Sequence, residues 1–231
     1  MSLLLKDKTL YLTLCTSKCY WLLNESKKAK YGEIPVDYQQ TDWALILDKK
    51  LKEIDCSIKN LKITIKSSLC RYAILPPQQK WPNDEILEFL ANLKFQKIYP
   101  NFNIDQYVYC FEKIKFDQNI LCKAIDKNIM QGILKLKFLN REVYFNTSLM
   151  SIFHYVPLEE SIIDYVEDNL IYLLIRKGCH ILELSTLAKK IISNSNVITL
   201  DEVIFDLNLE KGMENNYLNF IGCRYEKNIF H

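Results

Sequence analysis

Glycine is scarce: five stand in 231 residues, at positions 32, 132, 178, 212 and 222, and no two are adjacent. A phosphate cradle needs glycines, because backbone N–H groups must approach the ligand with no Cβ in the way. The chain has neither G-x-x-x-x-G-K nor G-x-G-x-x-G, so the familiar nucleotide-binding loops are excluded. Arginine is scarcer still, at 71, 141, 176 and 224, and the formal net charge is only +2. Nucleic-acid binders usually carry a sharp basic cluster with arginine prominent, so the lysine excess argues little for that partner. Histidine is limited to positions 154, 180 and 231, which leaves hydrolytic chemistry without an obvious base. No uncharged apolar run reaches the length of a membrane span, and Met1–Thr9 has no apolar core for a signal peptide. Six prolines and a 49% hydrophobic content exclude collagen-like and disordered classes. The expectation is a cytoplasmic globular chain whose eight cysteines are reduced and mostly buried.

The apolar pattern is rich in short strands. Thr9–Cys15, Cys19–Asn24 and Ala29–Val36 are β-formers joined by small polar turns, which predicts an antiparallel meander. Thr41-Asp42 offers a cap for a helix carrying Trp43, Leu47, Leu51 and Ile54. Strands follow at Leu61–Ile65 and Leu69–Leu75, stopped by Pro76-Pro77. A helix after Pro82 is expected to bury Ile86, Leu90 and Leu93 on one face. Gln106–Phe111 and Ile120–Ile125 read as paired strands, and Asp126 as the cap of a helix interrupted by Gly132. Arg141–Phe145 is a further strand, and Tyr165–Ile175 with Cys179–Ser185 reads as a hairpin. Helices over Thr186–Ser193 and Leu200–Glu210, the latter behind a Thr199/Glu202 capping box, and a strand Tyr217–Cys223 complete the chain. A meander, a helical crossover and a partial echo predict α/β architecture in the ribonuclease-H-like layout or its duplicated form, with mixed sheets flanked by helices. The expected division is 1–150 and 151–231, without a flexible linker.

Each candidate constellation lacks a part. A two-metal nuclease on that layout needs a carboxylate on the first strand, and Leu10–Cys15 has none. Cys15 and Cys19, or Cys179 beside His180, do not complete a zinc set. His154 sits in an apolar stretch with no nucleophile elbow nearby. Tyr107, Tyr109 and Phe111 alternate on one strand, and core packing is the default for them over a partner surface.

The stretch Ile63–Leu75 into Pro76, then Trp81 and the helix to Phe95 and Tyr99, resembles bacterial actin-like assembly proteins, as do Leu121–Asp126 and Tyr144–Phe153. These are the PilM-type proteins of type IV pilus machines and the GspL-type cytoplasmic domains of type II secretion; the resemblance covers residues 9–185. It implies an actin-like, duplicated ribonuclease-H-like fold that docks the cytoplasmic tail of an inner-membrane partner. PilM-type proteins use a D-x-G-type turn after the first strand for phosphate and metal. The matching turn here is Thr13-Leu14-Cys15-Thr16-Ser17-Lys18, with threonine for the metal-facing aspartate and cysteine for the glycine. The resemblance therefore implies a pseudo-ATPase scaffold with no catalytic residue, no metal and no cofactor, in which Thr13, Cys15, Thr16, Ser17 and Lys18 mark a degenerate phosphate turn. The rival readings are a residual ATP binder using Thr16, Ser17 and Lys18, and a lysine-rich nucleic-acid binder. With no membrane helix of its own, such a scaffold would stay cytoplasmic and reach the inner membrane through its partner, with self-association as an additional contact.

Overall fold

The computed structural model describes residues 8–25, 28–78, 82–112, 118–138, 142–150, 161–167, 170–177 and 180–188. The chain divides into two compact units: Met1–Leu69 with Asp126–Ser148, and Cys70–Ile125 with Leu149–His231. The units interleave, whereas the sequence pattern suggested two consecutive segments meeting at residue 150. The later crossing, at Ser148, lies close to that boundary, but the earlier one, at Leu69, has no linker signature. It is a 3-10 turn, Ser67–Leu69, between two apolar strands.

The first unit is built on the predicted meander, β1 (Lys8–Leu14), β2 (Lys18–Glu25) and β3 (Lys28–Pro35), each antiparallel to the next. Helix α1 (Trp43–Ile54) then carries the chain across to β4 (Ile58–Ile65), which pairs parallel with β1. After the excursion into the second unit, α3 (Lys127–Phe138) leads to β8 (Glu142–Thr147), parallel to β4. The sheet order is β3-β2-β1-β4-β8, the ribonuclease-H-like layout the pattern called for. Strand β1 lies inside this sheet, and Leu10, Leu12 and Leu14 on one face and Tyr11 and Thr13 on the other are all buried. A strand covered on both faces reads as a continuous apolar run, as TLYLTL does.

Helices α1 and α3 dock through Trp43. Its indole N–H donates to the Asn128 carbonyl at 3.1 Å, and its ring meets Tyr38 edge-on at 5.1 Å between centroids. The expected cap Asp42 stands at the N-cap of α1 but makes no side-chain cap bond. Asp126 does cap α3, accepting from the Asn128 N–H at 2.7 Å.

In the second unit, β5 (Cys70–Leu75), β6 (Tyr107–Phe111) and β7 (Ile120–Asp126) form a sheet ordered β5-β7-β6. Helix α2 (Asp84–Ile98) packs on it, its start capped by Asn83, whose side chain accepts from the Ile86 N–H at 2.9 Å. The core is Ala73, Leu75, Leu87, Ala91, Phe95 and Cys122 with their neighbours. Against it Phe95 stacks with Phe102 at 4.9 Å and with Tyr109 at 5.5 Å, and Phe102 with Tyr107 at 4.5 Å. The alternating aromatics of β6 are thus half-buried core, as expected by default. The buried face of α2 is not the expected one: Leu87, Ala91 and Phe95 are inside, while Ile86 and Leu93 are about half exposed (48% and 52%).

The remaining sheet is β11-β10-β9, all antiparallel: β9 (Ser161–Glu167), β10 (Leu170–Lys177) and β11 (His180–Ala188). The single strand expected over Tyr165–Ile175 is therefore two, and β11 runs into the stretch Thr186–Ala188 where a helix was expected. The predicted elements over 200–210 and 217–223, and the irregular stretch before Pro157 with His154, lie outside the described residues.

Candidate functional site

The turn between β1 and β2 is where the sequence placed its degenerate phosphate site. It is closed by the Cys15 N–H donating to the Lys18 carbonyl at 2.8 Å, and the Ser17 carbonyl accepts from the Val36 N–H at 3.0 Å. Thr13 and Cys15 are buried, and the Cys15 thiol points back to the Thr13 carbonyl at 3.8 Å. Thr16 and Ser17 are exposed and border a cavity of about 430 Å³ with Asp37, Gln40 and Trp43. Lys18 is drawn away: its ammonium bonds Glu33 at 2.9 Å and sits 4.6 Å from the centre of the Tyr20 ring. Hydrogen bonding to Tyr20, then to Glu33, holds that ammonium above its ordinary range. The structure thus brings Thr16 and Ser17 to one cavity mouth but leaves Thr13, Cys15 and Lys18 out of it.

A metal–triphosphate needs a carboxylate for the metal and free donors for the phosphates. The turn offers no carboxylate, its Thr13 hydroxyl is buried and its Lys18 is engaged with an anion, which leaves only the exposed hydroxyls of Thr16 and Ser17. These residues do not fit the group. Among the described residues no cluster of His, Cys, Asp or Glu is placed to hold a metal ion. The Cys19 thiol beside the turn is fully buried, and burial raises its pKa, so it is a neutral packing group rather than a ligand.

The sequence reading missed a buried polar set at the carboxyl ends of the parallel strands. Thr13 is in register with Thr64, and Thr64 with Asn146. Beyond them Lys66, Ser67, Thr147 and Ser148 are buried. The Ser67 N–H donates to the Ser148 hydroxyl at 2.9 Å, the two hydroxyls meet at 2.8 Å, and the Lys66 N–H bonds the Leu14 carbonyl at 3.0 Å. These bonds tie the ends of β1, β4 and β8 together. The signal was available as K-S-S after I-T-I and N-T-S after Y-F, polar runs closing apolar strands where open α/β sheets place their ligands.

The second unit holds a cavity of about 830 Å³. It is lined by Tyr72, Ala73 and Ile74 of β5, by Leu182–Thr186 of β11, and by Lys94 and Ile98 of α2 with Tyr99 just beyond it. Among the described residues both strands are at the edges of their sheets. The Tyr99 hydroxyl donates to the Tyr72 carbonyl at 3.2 Å and accepts from the Tyr72 N–H at 3.4 Å. Burial raises its pKa, so it stays a donor. The Asn119 amide donates to the Ile181 carbonyl at 3.1 Å and to the Leu182 carbonyl at 3.5 Å. Among the described residues no helix is long and apolar enough to cross a membrane.

No protein-family model matches the chain, and no curated protein matches it. Solved structures do. A Bacteroides thetaiotaomicron protein of actin-like ATPase fold and unknown function is 17% identical over 79% of this chain and 70% of its own, with a TM-score of 0.51. The PilM–PilN type IV pilus biogenesis complex is 13% identical over 79% of this chain and 62% of its own, with a TM-score of 0.50. The cytoplasmic domain of EpsL, an inner-membrane component of the Vibrio cholerae type II secretion system, is 12% identical over 79% and 71%, with a TM-score of 0.47. The first two carry the point that the sequence resemblance raised: the chain has a divergent actin-like fold, similar to that of the PilM-type proteins.

Proposed function

We propose that this chain is a non-enzymatic scaffold of a type IV pilus or type II secretion-like assembly, binding the cytoplasmic tail of an inner-membrane partner. The reading is carried by the β1–β2 turn: in this actin-like fold the turn has a buried threonine, a buried thiol and a lysine pinned to Glu33, which supports a scaffold over a nucleotide-driven catalyst. The likeness to the PilM–PilN type IV pilus biogenesis complex supports a role in binding another protein of such an assembly. Catalysis by differential binding needs charge aimed at the reacting atoms, and this turn supplies none.

The experiment is fluorescence anisotropy of the full chain against labelled peptides spanning the cytoplasmic tails of single-pass membrane proteins encoded beside it. Saturable binding of one tail, unaffected by magnesium and ATP, is the expected result. Hydrolysis of ATP by the purified chain, or failure of every such tail, would end the reading.

A further inference from the structure

Exposed apolar residues scattered singly over a surface are ordinary. Helix α2 departs from that pattern: Phe89 and Leu93 are 61% and 52% exposed, with Ile86 beside them at 48%. The aromatic sheet already satisfies the opposite face, Leu87, Ala91 and Phe95, so these three residues have no part in the core of the unit. Helix residues four apart stand in line and form a ridge. One such ridge on α2 is Glu85, Phe89, Leu93 and Lys97, and all four are exposed. It spans about 18 Å from carboxylate to ammonium at 1.5 Å per residue. Among the described residues neither Glu85 nor Lys97 has an ion-pair partner. The other charges of the helix divide the same way, Asp84 and Glu88 in its first half and Lys94 in its second.

Read backwards, this ridge is its own complement. When two helices cross at about −50°, their four-apart ridges run side by side. Two copies related by a two-fold axis midway between Phe89 and Leu93 run antiparallel, and every contact between them occurs twice. Glu85 then falls against Lys97 of the second copy, and Phe89 against its Leu93. A parallel pair would set Glu85 on Glu85 and Lys97 on Lys97, so charge fixes the direction. A lipid surface is a poorer match. Anionic membranes select basic faces, whereas three carboxylates against two ammonium groups leave α2 slightly acidic.

We propose that a second copy of this chain docks on α2, ridge against ridge, as an antiparallel two-fold pair. A contact made by one helix per copy lies at the small end of specific interfaces, so the pair is weak and forms as concentration rises. The surface is separate from the tail-binding function proposed above and does not rest on it.

Sedimentation velocity of the full chain, from micromolar to millimolar concentration, reads the pair directly. Wild type is expected to pass from monomer to dimer. Glu85→Lys sets lysine against lysine twice, and Lys97→Glu sets glutamate against glutamate twice. Each variant is expected to dimerise about tenfold more weakly than wild type. Mixed one to one, the two variants regain both opposite-charge contacts, so a heterodimer of wild-type strength is expected. Phe89→Ser is expected to weaken the pair more than about tenfold, since the residue enters the contact twice. In dilute solution, where the chain is monomeric, all three variants keep the wild-type melting temperature, because none of these side chains packs in the core. A chain that stays monomeric throughout overturns the proposal, whether α2 is then covered by another segment of the same chain or kept for a different protein. A dimer indifferent to Phe89→Ser overturns it too. So does a one-to-one mixture that associates no better than its two components.

Discussion

At the scale of single residues, Gly132 is the position the sequence read least well. Inside α3 it looked like a weak helix former, and replacing it by alanine would ordinarily gain about 1 kcal/mol of helix propensity. The structure gives it another role. A Cβ at Gly132 would stand 2.0 Å from the Trp43 ring, and one at Gly32 would stand 2.8 Å from Trp21. Trp43 is pinned by its bond to Asn128 and by Tyr38, so it has no room to yield. Overpacking typically costs about 1–3 kcal/mol, which outweighs the propensity gain. Gly132→Ala is expected to lower stability by about 1–2 kcal/mol in urea titration, against the usual sign for Gly→Ala in a helix. The buried thiols and phenol give a second expectation. Burial raises the pKa of Cys19 and Cys122 above an ordinary 9.0 and of Tyr38 above 10.0. The unfolded chain therefore sheds protons from about pH 9 while the native chain holds them, so stability falls as pH rises past that point. Melting temperatures measured from pH 7 to 11 should decline above pH 9, and a rise there would contradict the burial. That Cys19 and Cys122 are buried was legible from their places inside apolar strands; Gly132 was not, because the ring it accommodates lies 89 positions earlier in the sequence.

At the scale of elements, strands were read better than helix faces. The meander, β4, β5 and β7 follow from β-branched alternation and polar turns, which are local signals. Tyr165–Ile175 failed because its alternation ran through Asp168-Asn169, a turn pair that deserved more weight than the hydrophobicity around it. Helix α2 failed for a different reason. Its apolar residues fall on two faces, one with Leu87, Ala91 and Phe95, the other with Ile86, Phe89 and Leu93. Periodicity finds both and cannot rank them; only the aromatic sheet packed beneath selects the first. Phe89 is 61% exposed and Phe95 fully buried in stacked rings. Phe95→Ala should therefore cost about 3–5 kcal/mol, and Phe89→Ala less than about 0.5 kcal/mol. Chemical denaturation of the two variants decides between the faces, and similar losses would mean that the helix is turned the other way.

For the whole molecule, the sequence read the class of fold but not the path through it. The order β3-β2-β1-β4-β8 was recoverable because a meander followed by a helical crossover leaves few topologies. The interleaving was not, because the chain leaves the first unit through a three-residue turn of ordinary composition. The same limit applies to the sites. That the β1–β2 turn carries neither aspartate nor glycine could be read directly, since both are local facts. The cavity lined by β5 and β11 joins residues more than a hundred positions apart, and only the folded second unit assembles it. Nucleotide linkage tests the first of these on the intact chain. A site with an affinity of ~10 µM, offered 1 mM magnesium-ATP, would add about 2.7 kcal/mol to stability. For a chain of this size that amounts to a rise of about 5–10 °C in Tm. A turn whose threonine is buried and whose lysine serves Glu33 offers no such linkage, so the expected shift is below about 1 °C. A rise of several degrees that disappears without magnesium would mean that this fold still holds a metal–triphosphate, by residues other than those of the β1–β2 turn.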